Sequence, residues 1–278
     1  MVLVRGLLPA GEMSSVRVIG LITDFGLDDW FVGVMKSVML SIDPSLKIVD
    51  LTHGVPRHSL KAAAFAILAS YGFLPRDGIV VVVVDPGVGS GRPIICARCA
   101  DRYFLAPDNG VLSPLFEKEG FERIVRVTNR KYFLEPVSST FHGRDIFAPV
   151  AAHLAAGATI ESLGPAVEDY VRLELGEAQF DGENLRVEIV WIDSFGNMIT
   201  NCPSDLIARV VSRVGDRLLV EDRNLRLRLV DYYESAEERE LIGIVGSTGN
   251  LEISVRLGSA ARLLNCGVGD TLSLRKVG

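Results

Sequence analysis

The stretch 79-IVVVVVDPGVGSGR-92 decides the fold expected for this chain. Its run from Ile79 to Val84 is continuously apolar and β-branched. Runs of this kind are typical of a central strand in a parallel sheet, because both faces of such a strand are covered. Asp85 and a glycine-rich turn follow immediately. We therefore predict a buried parallel strand that ends at Asp85.

Strand-like and helix-like patterns alternate on both sides of this run. The helical patterns place apolar residues near the 3.6-residue period, and Ser59 is a candidate N-cap. This alternation predicts an α/β domain built on a mostly parallel sheet. The predicted strands are 16–23, 47–51, 79–84, 93–100 and 103–106, and the predicted helices are 28–42, 59–71, 111–118 and 146–156.

The pattern changes after Gly164. A polar segment rich in Glu and Gly comes first, and short strand patterns separated by turn residues follow it. The predicted strands of this part are 185–192, 217–220, 225–229, 241–245, 251–255 and 271–274. Short strands at this spacing predict a smaller all-β domain that resembles a barrel. The predicted organisation is an N-terminal extension (1–15), an α/β domain (16–170), a linker (171–183) and a β-barrel domain (184–278).

The overall composition is that of a globular protein that does not bind nucleic acid. The chain has 278 residues, with 35 acidic and 29 basic side chains and a net charge of −6, and its basic residues form no cluster. No apolar run approaches the ~18 residues that a membrane span needs. We also find no targeting signal, so we expect a cytoplasmic protein. Cys96 and Cys99 fall on opposite faces of a predicted strand, which disfavours a metal site.

Polar residues follow the predicted strands of the first half. Asp24 (in TDFG) and Asp85 lie at carboxyl ends of strands, where open α/β sheets bind ligands. A carboxylate there suits a ribose diol, although it equally suits a helix cap or a tight turn. The loop after Asp85 lacks the Gly-Lys-Ser/Thr ending of a phosphate-binding loop, so a nucleotide phosphate site is disfavoured.

His142, in TFHGRDIF, comes just before a predicted helix whose N-cap we assign to Asp145. A histidine in that place can orient or deprotonate water, or simply cap the helix. Arg92 is either solvated or, beside Asp85 and His142, able to stabilise hydroxide character in a bound water. The remaining histidines, at positions 53, 58 and 153, have no comparable setting.

The second half offers a turn with the groups that recognise adenine. DSFGNMIT (193–200) places Asp193, Phe195 and Asn197 around a tight turn, which gives an aromatic face and an amide. The alternative is an ordinary Asx-type hairpin turn. Two further segments, GSTGNLEI (246–253) and GSAA (258–261), either hold polar ligand ends or are turns.

Seven segments of the chain, in their order along the sequence, resemble the adenosylmethionine hydrolases, which are also called hydroxide adenosyltransferases. This family is related to the halide-using enzymes that make 5′-halo-5′-deoxyadenosine. The resemblance covers residues 16–274 and rests on TDFG, DLTHGVP, VVVVDPGVGS, APDNGVLS, TFHGRDIFAPVAAHLA, IDSFGNMITN and GSTGNLEISVRLGSAA. It implies an N-terminal α/β domain, a C-terminal β-barrel domain, and a homotrimer with active sites between subunits. The implied reaction is hydrolysis of S-adenosyl-L-methionine to adenosine and L-methionine, without a metal or another cofactor.

The resemblance also implies roles for individual residues. The groups that handle water are Asp85, Arg92 and His142, and Asp24 corresponds to the ribose-diol ligand. The remaining substrate contacts are Asp193 for the methionine ammonium group, Phe195 and Asn197 for adenine, Ser247 for the methionine carboxylate or adenine, and Glu252.

Two other functions stay open from the sequence. A halide could replace water as the nucleophile, although the extra loop that the resemblance assigns to fluoride-using relatives is missing here. A non-catalytic adenosine or adenosylmethionine binder would keep Asp24, Phe195 and Asn197, but it would not need Arg92 and His142.

Overall fold

The valine run forms a strand at Ile79–Val83 in the middle of a six-stranded sheet, as predicted. A computed structural model describes residues 17–211 and 213–277, so the predicted N-terminal extension (1–15) lies outside the described residues. The chain separates into two compact units, of which the first ends at Glu174 and the second begins at Leu175. The domain limits given above, including the linker at 171–183, stay predictions.

The sheet of the first unit is mostly parallel. Its strands are β1 (Val18–Thr23), β2 (Lys47–Thr52), β3 (Ile79–Val83), β4 (Ile94–Cys99), β5 (Arg102–Pro107) and β6 (Arg123–Arg126). The order across the sheet is β2-β1-β3-β5-β4-β6. The β1–β2, β1–β3 and β3–β5 pairs are parallel, whereas β4 runs antiparallel to both of its neighbours.

Helices connect these strands and cover the sheet. They are α1 (Phe31–Ile42), α2 (Leu60–Ser70), α3 (Ser113–Glu119) and α4 (Ala148–Ala155), with single 3-10 turns at Tyr71–Phe73, Arg130–Tyr132 and Ile160–Leu163. The predicted cap of α2 is confirmed, because Ser59 Oγ accepts a hydrogen bond from the backbone N–H of Ala62. Helix α1 buries Met35 and Met39 in the same core as Phe147 and two valines of β3, Val81 and Val83.

The predicted start of α4 was wrong. A π-helical turn, Gly143–Phe147, precedes α4, and its N-cap residue is His142 rather than Asp145. Asp145 lies inside this turn and is fully buried; its carboxylate accepts hydrogen bonds from the Ser138 backbone N–H at 2.7 Å and from the neighbouring Arg144. Such π turns inside helices occur often at functional sites. Asp145 therefore anchors the preceding loop instead of capping a helix.

The second unit is the predicted β-barrel. Its strands are β7 (Gln179–Phe180), β8 (Asn184–Ile192), β9 (Met198–Pro203), β10 (Arg217–Val220), β11 (Leu225–Val230), β12 (Leu241–Val245), β13 (Asn250–Val255) and β14 (Thr271–Val277). The order is β14-β10-β11-β12-β13-β9-β8-β7, and a further pairing of β14 with β8 closes the barrel. Two short helices, α5 (Ser204–Val210) and α6 (Ala260–Leu264), accompany it.

The fold class predicted from the sequence, an α/β sheet domain followed by a smaller barrel, is thus confirmed. Across residues 17–211 and 213–277, no helix combines the length and the apolar character needed to cross a bilayer.

Candidate functional site

Asp85 and Arg92 form a buried ion pair at the carboxyl end of β3. The Arg92 Nε donates to Asp85 Oδ1 at 2.9 Å, and Arg92 Nη2 donates to Asp85 Oδ2. The two side chains are only 5% and 11% exposed, so water screens the pair weakly. Paired donation of this kind fixes the plane of both groups. The carboxylate and the guanidinium are therefore held in one orientation.

The turn between these two residues depends on Gly89. Gly89 has a φ of +78°, a backbone conformation that suits glycine, and a Cβ at this position would lie 2.1 Å from the carbonyl oxygen of Ser139. The turn thus packs against the segment that leads to His142. Gly91, in the same turn, has open space around it.

His142 extends the pair into a chain of three groups. Arg92 Nη2 lies 2.9 Å from His142 Nδ1. Because a guanidinium has donors only, Nδ1 must accept, and the imidazole is neutral with its proton on Nε2. Burial first, and then the positive charge of Arg92, lower the pKa of His142, although the Asp85 and Asp145 carboxylates act in the opposite direction. The structure therefore brings together the three residues predicted to handle water.

This arrangement gives His142 the role of a hydrogen-bond donor. With Nδ1 occupied by Arg92, its Nε2–H can donate to an oxygen atom but cannot remove a proton. Of the two roles that the sequence allowed, orienting water and deprotonating it, the geometry favours the first. A fixed positive charge next to a fixed N–H donor is suited to stabilising an oxygen that gains negative charge.

Asp24 lies at the same edge of the sheet as Asp85. It follows β1, which pairs in parallel with β3 so that Thr23 lies opposite Val83. Its side chain is 9% exposed, and Oδ2 accepts a hydrogen bond from the backbone N–H of His58 at 2.9 Å. The carboxylate is therefore held by the loop that follows β2, a contact that the sequence did not indicate.

In the second unit, Asp193 organises the turn that joins β8 to β9. Asp193 Oδ1 accepts from the backbone N–H groups of Phe195 and Asn197, both at 2.9 Å. Asp193 Oδ2 accepts from Asn197 Nδ2 at 2.8 Å. The Asx-type turn considered from the sequence is thus present. It leaves Phe195 77% exposed, which makes an aromatic side chain available to a ligand.

A pocket of about 970 Å³ opens beside this turn. Besides the turn itself, Tyr233 and the loop from Val255 to Ser259 line it, together with Ala261 and Arg262. The GSAA segment was one of the two candidate ligand-holding segments, whereas Tyr233 and Arg256 were not foreseen. Tyr233 sits in a polar, irregular stretch without a motif, so the sequence carried no signal for it.

Glu252 and Ser247 do not line this pocket. Glu252 is 8% exposed and accepts hydrogen bonds from the Tyr233 hydroxyl and, at 3.1 Å, from Ser254 Oγ. Burial and the adjacent Glu252 raise the pKa of Tyr233. Ser247 is exposed in the turn that leads from β12 into β13, at the opposite end of β13 from Asp193. The hydrogen bond to Tyr233 therefore connects Glu252 with the pocket, whereas Ser247 does not line it.

The cysteine pair has separate environments. Cys96 belongs to the apolar core, whereas Cys99 Sγ donates to the carbonyl oxygen of Gly120 at 2.8 Å. Burial raises the pKa of both thiols to about 12, which keeps them protonated. Within the described part of the chain, no group of three or more His, Cys, Asp or Glu side chains is arranged to hold a metal ion.

Comparison with known protein families matches both units. Residues 19–164 match the family described as the SAM hydroxide adenosyltransferase N-terminal domain, and residues 187–273 match the corresponding C-terminal domain.

Individual relatives agree with this match. A protein of Salinispora tropica named (R)-S-adenosyl-L-methionine hydrolase is 36% identical, over 94% of this chain and 98% of the relative. A fluorinase of Actinoplanes sp. is more distant, at 26% identity over 66% of this chain and 71% of the relative. The crystal structure of an uncharacterised conserved protein from Thermotoga maritima superposes with a TM-score of 0.88 at 35% identity, covering 93% of this chain and 100% of that one.

Proposed function

This chain belongs to the SAM hydroxide adenosyltransferase family, and we propose from this premise that Asp85, Arg92 and His142 carry out its reaction. It is an enzyme that hydrolyses S-adenosyl-L-methionine to adenosine and L-methionine, as the names of relatives at 30% to 36% identity support. The observation that carries the residue assignment is the continuous chain of hydrogen bonds from Asp85 through Arg92 to His142.

The proposed reaction is an in-line displacement at the ribose C5′. The oxygen of water forms a bond to C5′ while the C5′–S bond breaks. The electron pair of the C5′–S bond goes to the sulfur. The leaving group changes from a sulfonium to the neutral thioether of methionine, so it needs no activation. One proton leaves the attacking water. The protein thus has to position the water and stabilise the negative charge that develops on its oxygen. No metal or redox cofactor is needed for this step.

Each member of the chain has a defined part in this step. Arg92 stabilises hydroxide character through its fixed positive charge. His142, held neutral by the hydrogen bond from Arg92, donates from Nε2 to the water oxygen. Asp85 fixes the guanidinium, and its remaining lone pairs can accept a hydrogen from the water. The proton then passes to solvent.

The substrate is held by residues of both units. We assign Asp24 to the ribose diol, because a carboxylate can accept from two hydroxyl groups. The pocket beside the Asp193 turn is assigned to adenine, with the exposed ring of Phe195 for stacking and Asn197 for the base edge. Asp193 is assigned to the methionine ammonium group. Glu252 is assigned an indirect part, since it holds the hydroxyl of Tyr233.

We also propose that the complete site forms in a homotrimer, between the first unit of one subunit and the second unit of the next. The proposed water-handling residues all precede residue 175, whereas the described residues that line the pocket all follow it. Ser247, which lies away from this pocket, stays a predicted substrate contact. A cytoplasmic location is likewise a prediction from the sequence.

The decisive experiment follows the oxygen atom. Purified protein is incubated with S-adenosyl-L-methionine in 18O-labelled water, with and without chloride or fluoride, and the products are analysed by mass spectrometry. We expect adenosine with one 18O at the 5′ oxygen, in a yield that halide does not change. Formation of 5′-halo-5′-deoxyadenosine would assign the protein to halide transfer, and adenosine binding without turnover would make it a binding protein.

A further inference from the structure

A chain of polar side chains lies behind Asp24, and the proposed reaction does not use it. Thr23 is fully buried and the imidazole of His53 is 3% exposed. Thr23 Oγ1 lies 2.8 Å from His53 Nδ1, and His53 Nε2 lies 3.0 Å from Asp50 Oδ1 in an ion-pair contact. Asp50 Oδ2 in turn accepts from Lys36 Nζ at 2.6 Å.

The partners of these groups show how the histidine is held. Thr23 Oγ1 accepts from the backbone N–H of Phe25 at 3.2 Å, and the same hydroxyl group lies within hydrogen-bond distance of His53 Nδ1. The other ring nitrogen, His53 Nε2, faces the Asp50 carboxylate. Burial raises the pKa of Asp50, but the hydrogen bond from Lys36 and the adjacent imidazole of His53 outweigh this effect and lower the pKa, so Asp50 is a carboxylate.

The same histidine holds the backbone on both sides of Asp24. Its side chain binds Thr23, directly before Asp24, and its carbonyl oxygen accepts from the Gly26 N–H at 2.8 Å, two residues after Asp24. The backbone N–H of Val55 reaches the carbonyl oxygen of Thr23 at 3.3 Å. His58, a few residues further, donates its N–H to the Asp24 carboxylate. The position of Asp24 is therefore set by the loop that His53 begins.

We propose that His53 is a positioning residue for Asp24: through Thr23 Oγ1 and the Gly26 N–H, it places the Asp24 carboxylate where that group binds the hydroxyls of the ribose. This rests on the proposed assignment of Asp24 to the ribose diol. His53 itself does not touch the substrate. Its loss should weaken recognition of the diol and leave the binding of the base unchanged.

The test compares the affinities of the full chain for adenosine and for 2′,3′-dideoxyadenosine by isothermal titration calorimetry. Because a change at the buried His53 can prevent folding, Thr23→Val is measured beside His53→Leu, with Thr23→Ser as the matched control that keeps the hydroxyl. We expect His53→Leu and Thr23→Val to lower the preference for adenosine about tenfold, the size of one hydrogen bond to a charged group. Dideoxyadenosine should bind as to the wild type, and Thr23→Ser should keep the wild-type preference.

A double variant, with Thr23→Val added to Asp24→Asn, tests the positioning role separately from the assignment of Asp24 to the ribose diol. If His53 and Thr23 act through Asp24, then Thr23→Val added to Asp24→Asn should cause no further loss of preference. A loss of affinity that is equal for both nucleosides, or an unchanged preference, would overturn the positioning role alone. A wild-type protein that does not distinguish the two nucleosides would overturn the assignment of Asp24 as well, while hydrolysis is followed separately by the 18O experiment.

Discussion

Arg92 is the residue on which the polar chain of the first unit depends, because it contacts both of the other members. Its guanidinium donates to Asp85 through two nitrogens and to His142 through Nη2. A lysine ammonium is a point charge and cannot reproduce these donations in one plane. Residues of the site are thus coupled to one another and do not act independently.

Arg92→Lys is therefore expected to lower kcat by roughly 10²-fold with a small change in KM, as for the loss of one preorganised donor. Steady-state kinetics with S-adenosyl-L-methionine would measure this. Arg130→Lys is the matched control, since Arg130 forms an exposed ion pair with Glu135 (70% and 44% exposed). A kcat that stays at the wild-type value in Arg92→Lys would remove Arg92 from the mechanism.

The protonation state of His142 predicts the acid side of the pH profile. Burial and the charge of Arg92 lower the pKa of His142 from 6.5, and only the neutral imidazole can accept from Arg92. We expect kcat/KM to be constant above pH 6.5 and to fall only at lower pH. The free energy of unfolding depends on pH in the same direction. The stability that the neutral histidine contributes is present above its unfolded-state pKa and is lost as the pH falls through its folded-state pKa.

His142→Gln provides the comparison for this profile, because its amide can accept from Arg92 and donate to water without titrating. Its kcat should be reduced, and the acid fall in kcat/KM should disappear. An acid fall that persists unchanged in His142→Gln would assign it to another group.

At the scale of the elements, the loops after the strands place the site, and their shape depends on single glycines. The turn from Asp85 to Arg92 needs Gly89 at positive φ, packed on the carbonyl of Ser139. The segment around Ser139 is in turn held by Asp145 through the N–H of Ser138. The π turn at 143–147 and the β3 loop therefore support each other.

Gly89→Ala should destabilise the protein by about 1–3 kcal/mol or more, because it combines a left-handed backbone with a clash against a main-chain atom. We expect a lower Tm and a lower kcat. Gly91→Ala, in the same turn but with open space around it, should leave both at the wild-type values. Thermal unfolding and kinetics of the two variants would settle the comparison, and equal effects would argue against the packing role of Gly89.

Most elements followed from periodicity, and the exceptions have physical reasons. The valine run and Ser59 gave β3 and the start of α2, since continuous burial and N-capping leave local signals. Strand β9 was not predicted because Thr200 and Asn201 interrupt its apolar pattern. In the structure, Thr200 Oγ1 is satisfied by the carbonyl of Leu251, and Asn201 by backbone groups, which only the folded barrel supplies.

The candidate site also contains residues whose position the sequence predicted and contacts that it could not predict. Asp24 and Asp85 could be placed from the sequence, because the ends of neighbouring parallel strands meet at one edge. The contact between Arg92 and His142 spans 50 residues, and the setting of His53 depends on groups from three elements. Tertiary contacts of this kind have no local pattern, so periodicity cannot predict them.

At the scale of the whole molecule, the proposed trimer makes a prediction that a site contained in one chain would not. Asp85→Asn carries its defect in the first unit, and Phe195→Ala carries its defect in the second. If each site combines units of two subunits, mixed trimers of the two variants contain some sites with both units intact. Unfolding and refolding them together should therefore restore part of the activity that each variant lacks alone.

The same refolding of each variant by itself is the control, and sedimentation velocity would report the trimer. If the mixture is no more active than the separate variants although trimers form, each site belongs to a single chain, and the shared-site arrangement is wrong.

The closing of the barrel by β14 has a consequence for synthesis on the ribosome. Strand β14 pairs with β10 on one side and with β8 on the other, and it follows both in the sequence. Until it emerges from the exit tunnel, the nascent barrel has two open edges, which are templates for pairing with other chains. The first unit precedes the barrel and can fold earlier, so the newly made chain is most exposed to aggregation in the interval between the synthesis of β13 and that of β14.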